Sequence, residues 1–531
     1  MLDIRHSPQR QAYNPPPPRH FQSPPPQPPL PPQLPPKRRK KRFLFWIVII
    51  AIILGLAFLG SVALAYKFYS TSKKVIQNDS PHSFFQSLKD ISSGNQKTLR
   101  SDKDGRINIL LLGLAGENYP GENLTDSIII ASVNPKTYQT ALLSIPRDLY
   151  VRIPDTNSYT KINALYPRGK DQHGDSVEGV SELKSSLEEI TGLPINYYIA
   201  IDFDGFKKII DQLGGISTVV PKDLHDERYP GPNYSYQTFD IKKGLQNLDG
   251  ETALKYARTR HDEEGDFGRA YRQQQILESF RQKAFSIGTL VNVPAIGNII
   301  DILGDHLRTD IPLDEIDSFL SFTKKVDTHT TINEVLDSRS SKSLLSVSHV
   351  MLGGVRAFIL VPRTGNYSEI RERAKNIFNL DLEKRKQAER ENEQASVTIV
   401  NGSNAKESES KIKALLQSLG YKVSISFAKN LVEITSGETI IYDASSGNKP
   451  FSLEELAAKL QAKVMPDLPA SLSASCRETD LCLVIGNDLS EVMDYEENTE
   501  ADLEEGYDKQ QIDERTYIDL LKKGSSVKFT R

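Results

Sequence analysis

Only two cysteines, Cys476 and Cys482, occur in the 531 residues. Two thiols alone do not make a thiolate metal site, and no further ligands of the right type stand beside them. In an oxidising compartment this C-x5-C pair closes a short disulfide loop; two free thiols is the plainer alternative. Charge is absent from residues 43–66, FLFWIVIIAIILGLAFLGSVALAY, a run of 24 apolar or small residues. That is enough helix to cross a hydrocarbon core of roughly 30 Å. A cleaved signal peptide has a shorter apolar region ending in a small-residue cleavage site, and this run continues into YKFYS. The first 42 residues lack the apolar content of a core. Fourteen of the chain's 30 prolines lie between residues 8 and 36, which gives a polyproline-II tail. A net positive charge is missing beyond that tail. Residues 1–42 carry nine Lys or Arg against one Asp, a net of +8, and the whole chain is −3, so the remainder is −11. A net-acidic exterior is a poor nucleic-acid binder.

What is present sets the topology. Six basic residues, Lys37–Arg42, precede the apolar run, so the N-terminus is expected in the cytoplasm and the chain after Tyr66 outside. The expected organisation is a Pro-rich tail (1–42), a transmembrane helix (43–66), a stalk (67–103) and a layered α/β domain (104–378). A helical linker (379–395), a smaller α/β domain (396–489) and an acidic tail (490–531) follow.

In the first α/β domain, INILLLGLA (107–115) reads as a buried strand. DSIIIASVN (126–134) and TALLSIPRDLYVRI (140–153) follow as strands joined by a turn at Asn134-Pro135. Val180, Leu183, Leu187 and Ile190 mark a helix stopped by Gly192. INYYIAIDF (195–203) is a strand, and Phe206, Ile209, Ile210 and Leu213 mark a helix ending on Gly214-Gly215. Strands alternating with helices give a central mixed sheet covered by helices. Asp249 is the expected N-cap of a helix over DGETALKYA. The second domain reads β-α-β-β-β-α-β, with a Ser452/Glu455 capping box opening its last helix.

The chemistry concentrates in YARTRHDEEGDFGRAYRQQQ, residues 256–275, with four arginines and four acids. Arginine presents a planar fork of donors that matches phosphate oxygens. Arg258 and Arg260 point the same way if that piece is extended, and Arg269 and Arg272 share a helix face. Asp266 between the pairs is a hard ligand suited to Mg²⁺ beside a phosphate. Asp126 opens one strand and Arg147 ends its neighbour, and strand ends are where α/β sheets bind ligands. The alternative is a set of surface ion pairs worth about 0–1 kcal/mol each.

LTDSIII, SIPRDLYV, KINALY, DFDGFKKIIDQLGGI and LDGETALKYARTRHDEEGDFGRAYRQQQ follow one another in an order that resembles the LytR-CpsA-Psr family, best over residues 104–285. Residues 396–489 resemble the LytR C-terminal domain, without a glycine that often follows its NG turn. The resemblance implies an enzyme that takes a glycopolymer from a polyprenyl-pyrophosphate carrier and transfers it, with its proximal phosphate, to a peptidoglycan hydroxyl. It implies Mg²⁺ (or Mn²⁺) on Asp126 and Asp266. It implies pyrophosphate-binding arginines at Arg147, Arg258, Arg260 and Arg269, with Arg272 close by, and Lys161 and Asn163 near the site. The general base is left open between Asp126 and Asp148. Many members have arginine where this chain has Leu124, and Arg152 or Lys161 are the candidates to compensate. A pyrophosphate hydrolase and a non-catalytic polyprenyl-lipid or wall-polymer binder are the alternatives. A transcriptional role conflicts with arginines placed outside the cell.

Overall fold

A computed structural model describes residues 98–493, apart from several short loops and the stretches 287–301 and 427–436, together with a short C-terminal piece ending at Gly524. The Pro-rich segment, the apolar run 43–66, most of the stalk and Arg260 lie outside the described residues. Among the described residues no helix is long and apolar enough to cross a membrane.

The chain runs β1 (Ile107–Leu114), β2 (Thr125–Val133), β3 (Thr140–Ile145), then a hairpin of β4 (Tyr150–Arg152) and β5 (Tyr159–Lys161). Helices α1 (Leu165–His173) and α2 (Ser176–Thr191) follow, then β6 (Tyr197–Asp202) and α3 (Phe203–Gln212). Four strands come next: β7 (Ile216–Val220), β8 (Leu224–Pro230), β9 (Tyr236–Ile241) and β10 (Gly244–Leu248). They lead into α4 (Gly250–Arg258) and the long α5 (Gly265–Ser286). After β11 (Leu307–Thr309), α6 (Ile316–Thr323) and β12 (Ile332–Val335), a hairpin of β13 (Leu345–Leu352) and β14 (Val355–Pro362) leads to α7 (Ser368–Lys375).

The main sheet has the order β11-β6-β1-β2-β3-β12 and is mixed: β1 pairs antiparallel with β2 and parallel with β6. Alternation along the strands gives it two apolar faces. Leu110, Leu112, Ile128, Ile130 and Leu143 form a core with Leu183, Leu187 and Ile190 of α2. Each such side chain contributes roughly 1.5–3 kcal/mol by leaving water. Helices α1 and α2 approach closely, because a Cβ on Gly179 would lie 2.5 Å from the Tyr166 carbonyl oxygen. On the opposite face Ile109 and Leu111 are half-buried and pack with Ile129, Ala131 and Leu142 beside Leu277 of α5.

A helix, α8 (Leu380–Glu393), connects to the second sheet. Its elements are β15 (Ser396–Asn401), α9 (Ser408–Ser418), β16 (Lys422–Ser426), β17 (Ile440–Asp443), α10 (Pro450–Leu460), β18 (Lys463–Met465), β19 (Leu481–Ile485) and α11 (Asn487–Met493). The strand order is β16-β15-β19-β17-β18. The β13–β14 hairpin shares one apolar cluster with this second sheet, in which Val350, Ile359 and Val361 join Val397, Ile399, Leu456 and Leu483. Cys476 and Cys482 form a disulfide.

Three local expectations are corrected. Residues 140–153 are two strands, because the Pro146–Leu149 turn, closed by Leu149 N–H to Pro146 C=O, breaks the run. Ser452 does not cap α10. The helix begins at Pro450, and both oxygens of Glu393 accept from the Phe451 and Ser452 amides, while Glu455 turns to Tyr421 and Arg390. Arg258 is not extended but closes α4, whose N-cap Asp249 accepts from Thr252 N–H as expected. The expected strand at LVEI lies outside the described residues.

Candidate functional site

The antiparallel register fixes the first pair. Ile128 faces Ile145 and Ile129 faces Ser144 across β2 and β3. Carrying that ladder past its last rung sets Asp126 opposite Arg147. There Arg147 Nη1 donates to Asp126 Oδ1 at 3.0 Å. Both side chains remain partly open to solvent, 13% and 23% exposed.

The rear of Arg147 is braced. Its Nε lies 3.5 Å from Asp148 Oδ2, and Asp148 Oδ1 accepts from Lys161 Nζ at 2.6 Å. The Lys161 side chain is wholly buried. It therefore acts on the site through Asp148 and does not line its surface. The backbone of the same KIN turn adds support: Asn163 N–H donates to the Arg147 carbonyl, and Thr125 Oγ1 donates to the Asn163 carbonyl. With both Asp148 oxygens engaged, Asp126 is the more accessible of the two candidate bases.

The charges of Arg269, on the first turns of α5, and of Arg258, at the end of α4, act on the same carboxylate. Burial pushes the Asp126 carboxyl up, but Arg147, Arg269 and Arg258 together outweigh it and hold the group below the usual carboxylate range. Arg258 rests its guanidinium on the Phe203 ring and donates to Tyr229 Oη. Sequence reasoning missed both aromatic contacts. Their signal was Phe203 itself, the residue at which β6 ends and α3 begins.

Other expected residues stand elsewhere. Arg272 is buried and donates to the Thr259 carbonyl, tying α5 to the end of α4. Arg152 is 43% exposed and lies 4.0 Å from Glu189 of α2. Neither Arg152 nor Lys161 therefore replaces a cation at position 124. Leu124 is partly buried against the apolar cluster that contains Tyr150 and Tyr159. Asp266 lies in the first turn of α5; its side chain, like Arg260, is outside the described residues.

The positive charge of three arginines acts on one carboxylate here. Such a site attracts a multiply charged anion. Among the described residues no group of three carboxylate, histidine or cysteine side chains is gathered for a metal. Asp126 is nevertheless an ionised, accessible oxygen ligand. Magnesium commonly takes one or two carboxylates and completes its shell with phosphate oxygens and water. The residues fit a metal that arrives with a phosphate ligand.

A model of the LytR_cpsA_psr family matches residues 63–352. The chain is 33% identical over 293 residues to the polyisoprenyl-teichoic acid–peptidoglycan teichoic acid transferase TagV of Bacillus subtilis (strain 168), covering 52% of this chain and 69% of TagV. It is 35% identical over 211 residues to regulatory protein MsrR of Staphylococcus aureus (strain COL), covering 39% of this chain and 58% of MsrR. The crystal structure of B. subtilis TagV superposes with a TM-score of 0.40 at 28% identity, covering 52% of this chain and 98% of that one. The family match spans the main sheet, Asp126, Arg147 and both arginine-bearing helices, and the chain belongs to the LytR_cpsA_psr family.

Proposed function

We propose that this protein is a membrane-anchored phosphotransferase. It moves a glycopolymer, with its proximal phosphate, from a polyprenyl-pyrophosphate carrier to a peptidoglycan hydroxyl on the outer face of the membrane. The observation that carries the reading is Arg147 bonded to Asp126 at the end of the main sheet, where the charges of Arg258 and Arg269 also act on that carboxylate. The TagV relative, a transferase of polyisoprenyl-linked teichoic acid by name, supports the same class of reaction.

The chemistry needs little beyond placement and charge. The acceptor oxygen bonds to the phosphorus that carries the glycopolymer, the P–O bond to the polyprenyl phosphate breaks, and polyprenyl phosphate leaves. Charge building on the transferring and leaving oxygens is met by fixed guanidinium groups, so no covalent protein nucleophile is required. In this reading Asp126 orients the hydroxyl and takes its proton. Arg260 joins the clamp, Arg272 and Lys161 support it from behind, and Asp266 shares the metal with Asp126. Mg²⁺ (or Mn²⁺) supplies further neutralisation of the pyrophosphate when bound. The half-buried apolar face around Ile109 and Leu111 is suited to the polyprenyl chain. Residues 104–378 form the catalytic domain and 396–489 a LytR C-terminal-like domain that contacts wall polymer.

The test uses the full chain in lipid nanodiscs with a polyprenyl-pyrophosphate-linked glycan and peptidoglycan. Glycan should appear on peptidoglycan together with polyprenyl phosphate, and Asp126→Ala and Asp266→Ala should each abolish both. Polyprenyl phosphate released without glycan transfer would make the protein a hydrolase. Tight binding with no release would make it a carrier-binding protein, a reading that Leu124 favours by removing one cation. Topology is tested separately: a cysteine placed at Ser72 should react with a membrane-impermeant thiol reagent in intact cells.

A further inference from the structure

Arg258 is held differently from Arg147. Among the described residues no carboxylate pairs with it directly; aromatic rings surround it instead. Its guanidinium carbon lies 4.2 Å from the Phe203 ring centre, 5.6 Å from Tyr229 and 5.8 Å from Tyr119. Tyr119 meets Phe203 edge to face at 5.1 Å. Nη1 of Arg258 donates to the Tyr229 hydroxyl at 3.3 Å.

The Tyr119 ring is itself locked. Its hydroxyl donates to Asp204 Oδ1 and accepts from Lys207 Nζ, each at 2.9 Å. Lys207 in turn lies 3.0 Å from Asp204 and 3.7 Å from Glu251. Asp204 and Lys207 both sit on α3, which starts at Phe203, so one helix supplies a wall of the cage and the lock of another.

The physical difference concerns which part of the guanidinium is occupied. A carboxylate takes the N–H edge, the same edge that a phosphate would use. An aromatic ring takes the flat face and leaves N–H groups for an anionic ligand. A caged arginine is aimed without being neutralised.

We propose that Tyr119, Phe203 and Tyr229 are positioning residues that aim Arg258 at the pyrophosphate, with Asp204 and Lys207 acting one step further out by fixing Tyr119. This rests on the reading of Arg258 as a pyrophosphate ligand. It adds five residues to the machinery, drawn from the loop before β2, from α3 and from β8.

The experiment is a binding cycle with farnesyl pyrophosphate and Mg²⁺, using the full chain in detergent. Tyr119→Leu keeps apolar bulk on a partly exposed site but loses the π face. It should weaken binding about tenfold with an unchanged Tm. Tyr119→Phe keeps the ring and loses only the lock, so its loss should be smaller, and Lys207→Met should match it. In an Arg258→Gln background, Tyr119→Leu should cost nothing further. Losses that add in the double variant, or no loss from Tyr119→Leu, would overturn the cage. Wild-type affinity in Arg258→Gln alone would instead overturn the pyrophosphate reading, and the cage with it.

Discussion

Two clusters in this molecule use the same side chains to opposite ends. At the junction of α7 with α10, Arg363 forks onto Glu369 at 2.6 and 2.7 Å, and Lys459 Nζ joins it at 2.6 Å. Arg390 lies 2.9 Å from Glu455 and 3.5 Å from Glu391. Three cations meet three carboxylates, and Glu369 is only 3% exposed. At the end of the main sheet, Arg147 lies between Asp126 and Asp148, Lys161 braces Asp148, and Arg258 rests on aromatic rings with no carboxylate paired to it among the described residues. Composition does not separate a binding arginine from a structural one; charge balance and access do. The junction is held carboxylate to cation, whereas Arg258 at the site is held by rings and keeps N–H groups for a ligand.

The largest test of this contrast is Arg269→Gln. Turnover should fall by about 10²–10³-fold, the usual loss for one preorganised donor to a developing anion. Thermal melting should show an unchanged or raised Tm, because one of several mutually repelling cations is gone. A clear drop in Tm would place Arg269 with the structural arginines. Next in size, Glu369→Gln should cost about 3–5 kcal/mol by stranding Arg363 and Lys459. Denaturant titration reads that loss, and turnover per folded molecule should be unaffected.

Acidity sharpens the same comparison. Burial raises the affinity of the Glu369 carboxyl for protons, but Arg363 and Lys459 outweigh it and hold the group below the usual carboxylate range. A depressed folded value means that its contribution is fully present above the unfolded pKa of about 4.3. It is lost as pH falls below that and through the folded value. Wild-type stability should therefore drop in that acid window, and Glu369→Gln should flatten this part of the profile; an unchanged slope would contradict the assignment. The smallest effect concerns the metal. With Asp126 already held by Arg147, Mg²⁺ alone should barely move Tm, while Mg²⁺ with farnesyl pyrophosphate should raise it. An equal shift from the metal alone would mean that its ligands are preassembled.

Much of this was legible in the sequence. Asp126 and Arg147 are readable because two consecutive strands joined by a short turn imply antiparallel pairing, and the pair falls at the strand ends. Helices α2 and α3 were readable because their apolar residues keep one face and glycine stops them. The bond from Arg272 to the Thr259 carbonyl was not legible, since sharing a helix face with Arg269 does not tell which one meets a carbonyl. The burial of Lys161 was not legible, since it depends on Asp148, a partner that local pattern does not display. The strands β8–β10 alternate weakly, with charge in β8 and polar residues in β9 and β10, so periodicity gave no signal there. The cap of α10 comes from Glu393, 57 residues before Pro450, beyond the reach of a local capping rule.

The register that sets Asp126 across from Arg147 also constrains how this gene can drift. Between β2 and β3 the chain turns through Asn134 and Tyr138, with Asn134 N–H donating to the Gln139 carbonyl and Tyr138 in a left-handed conformation. Sliding the ladder by one residue would send every side chain of β3 to the other face of the sheet. An insertion or deletion here is tolerated only if the turn absorbs it locally. Length polymorphism in homologous chains should therefore be rare between positions 126 and 147 except within residues 134–139.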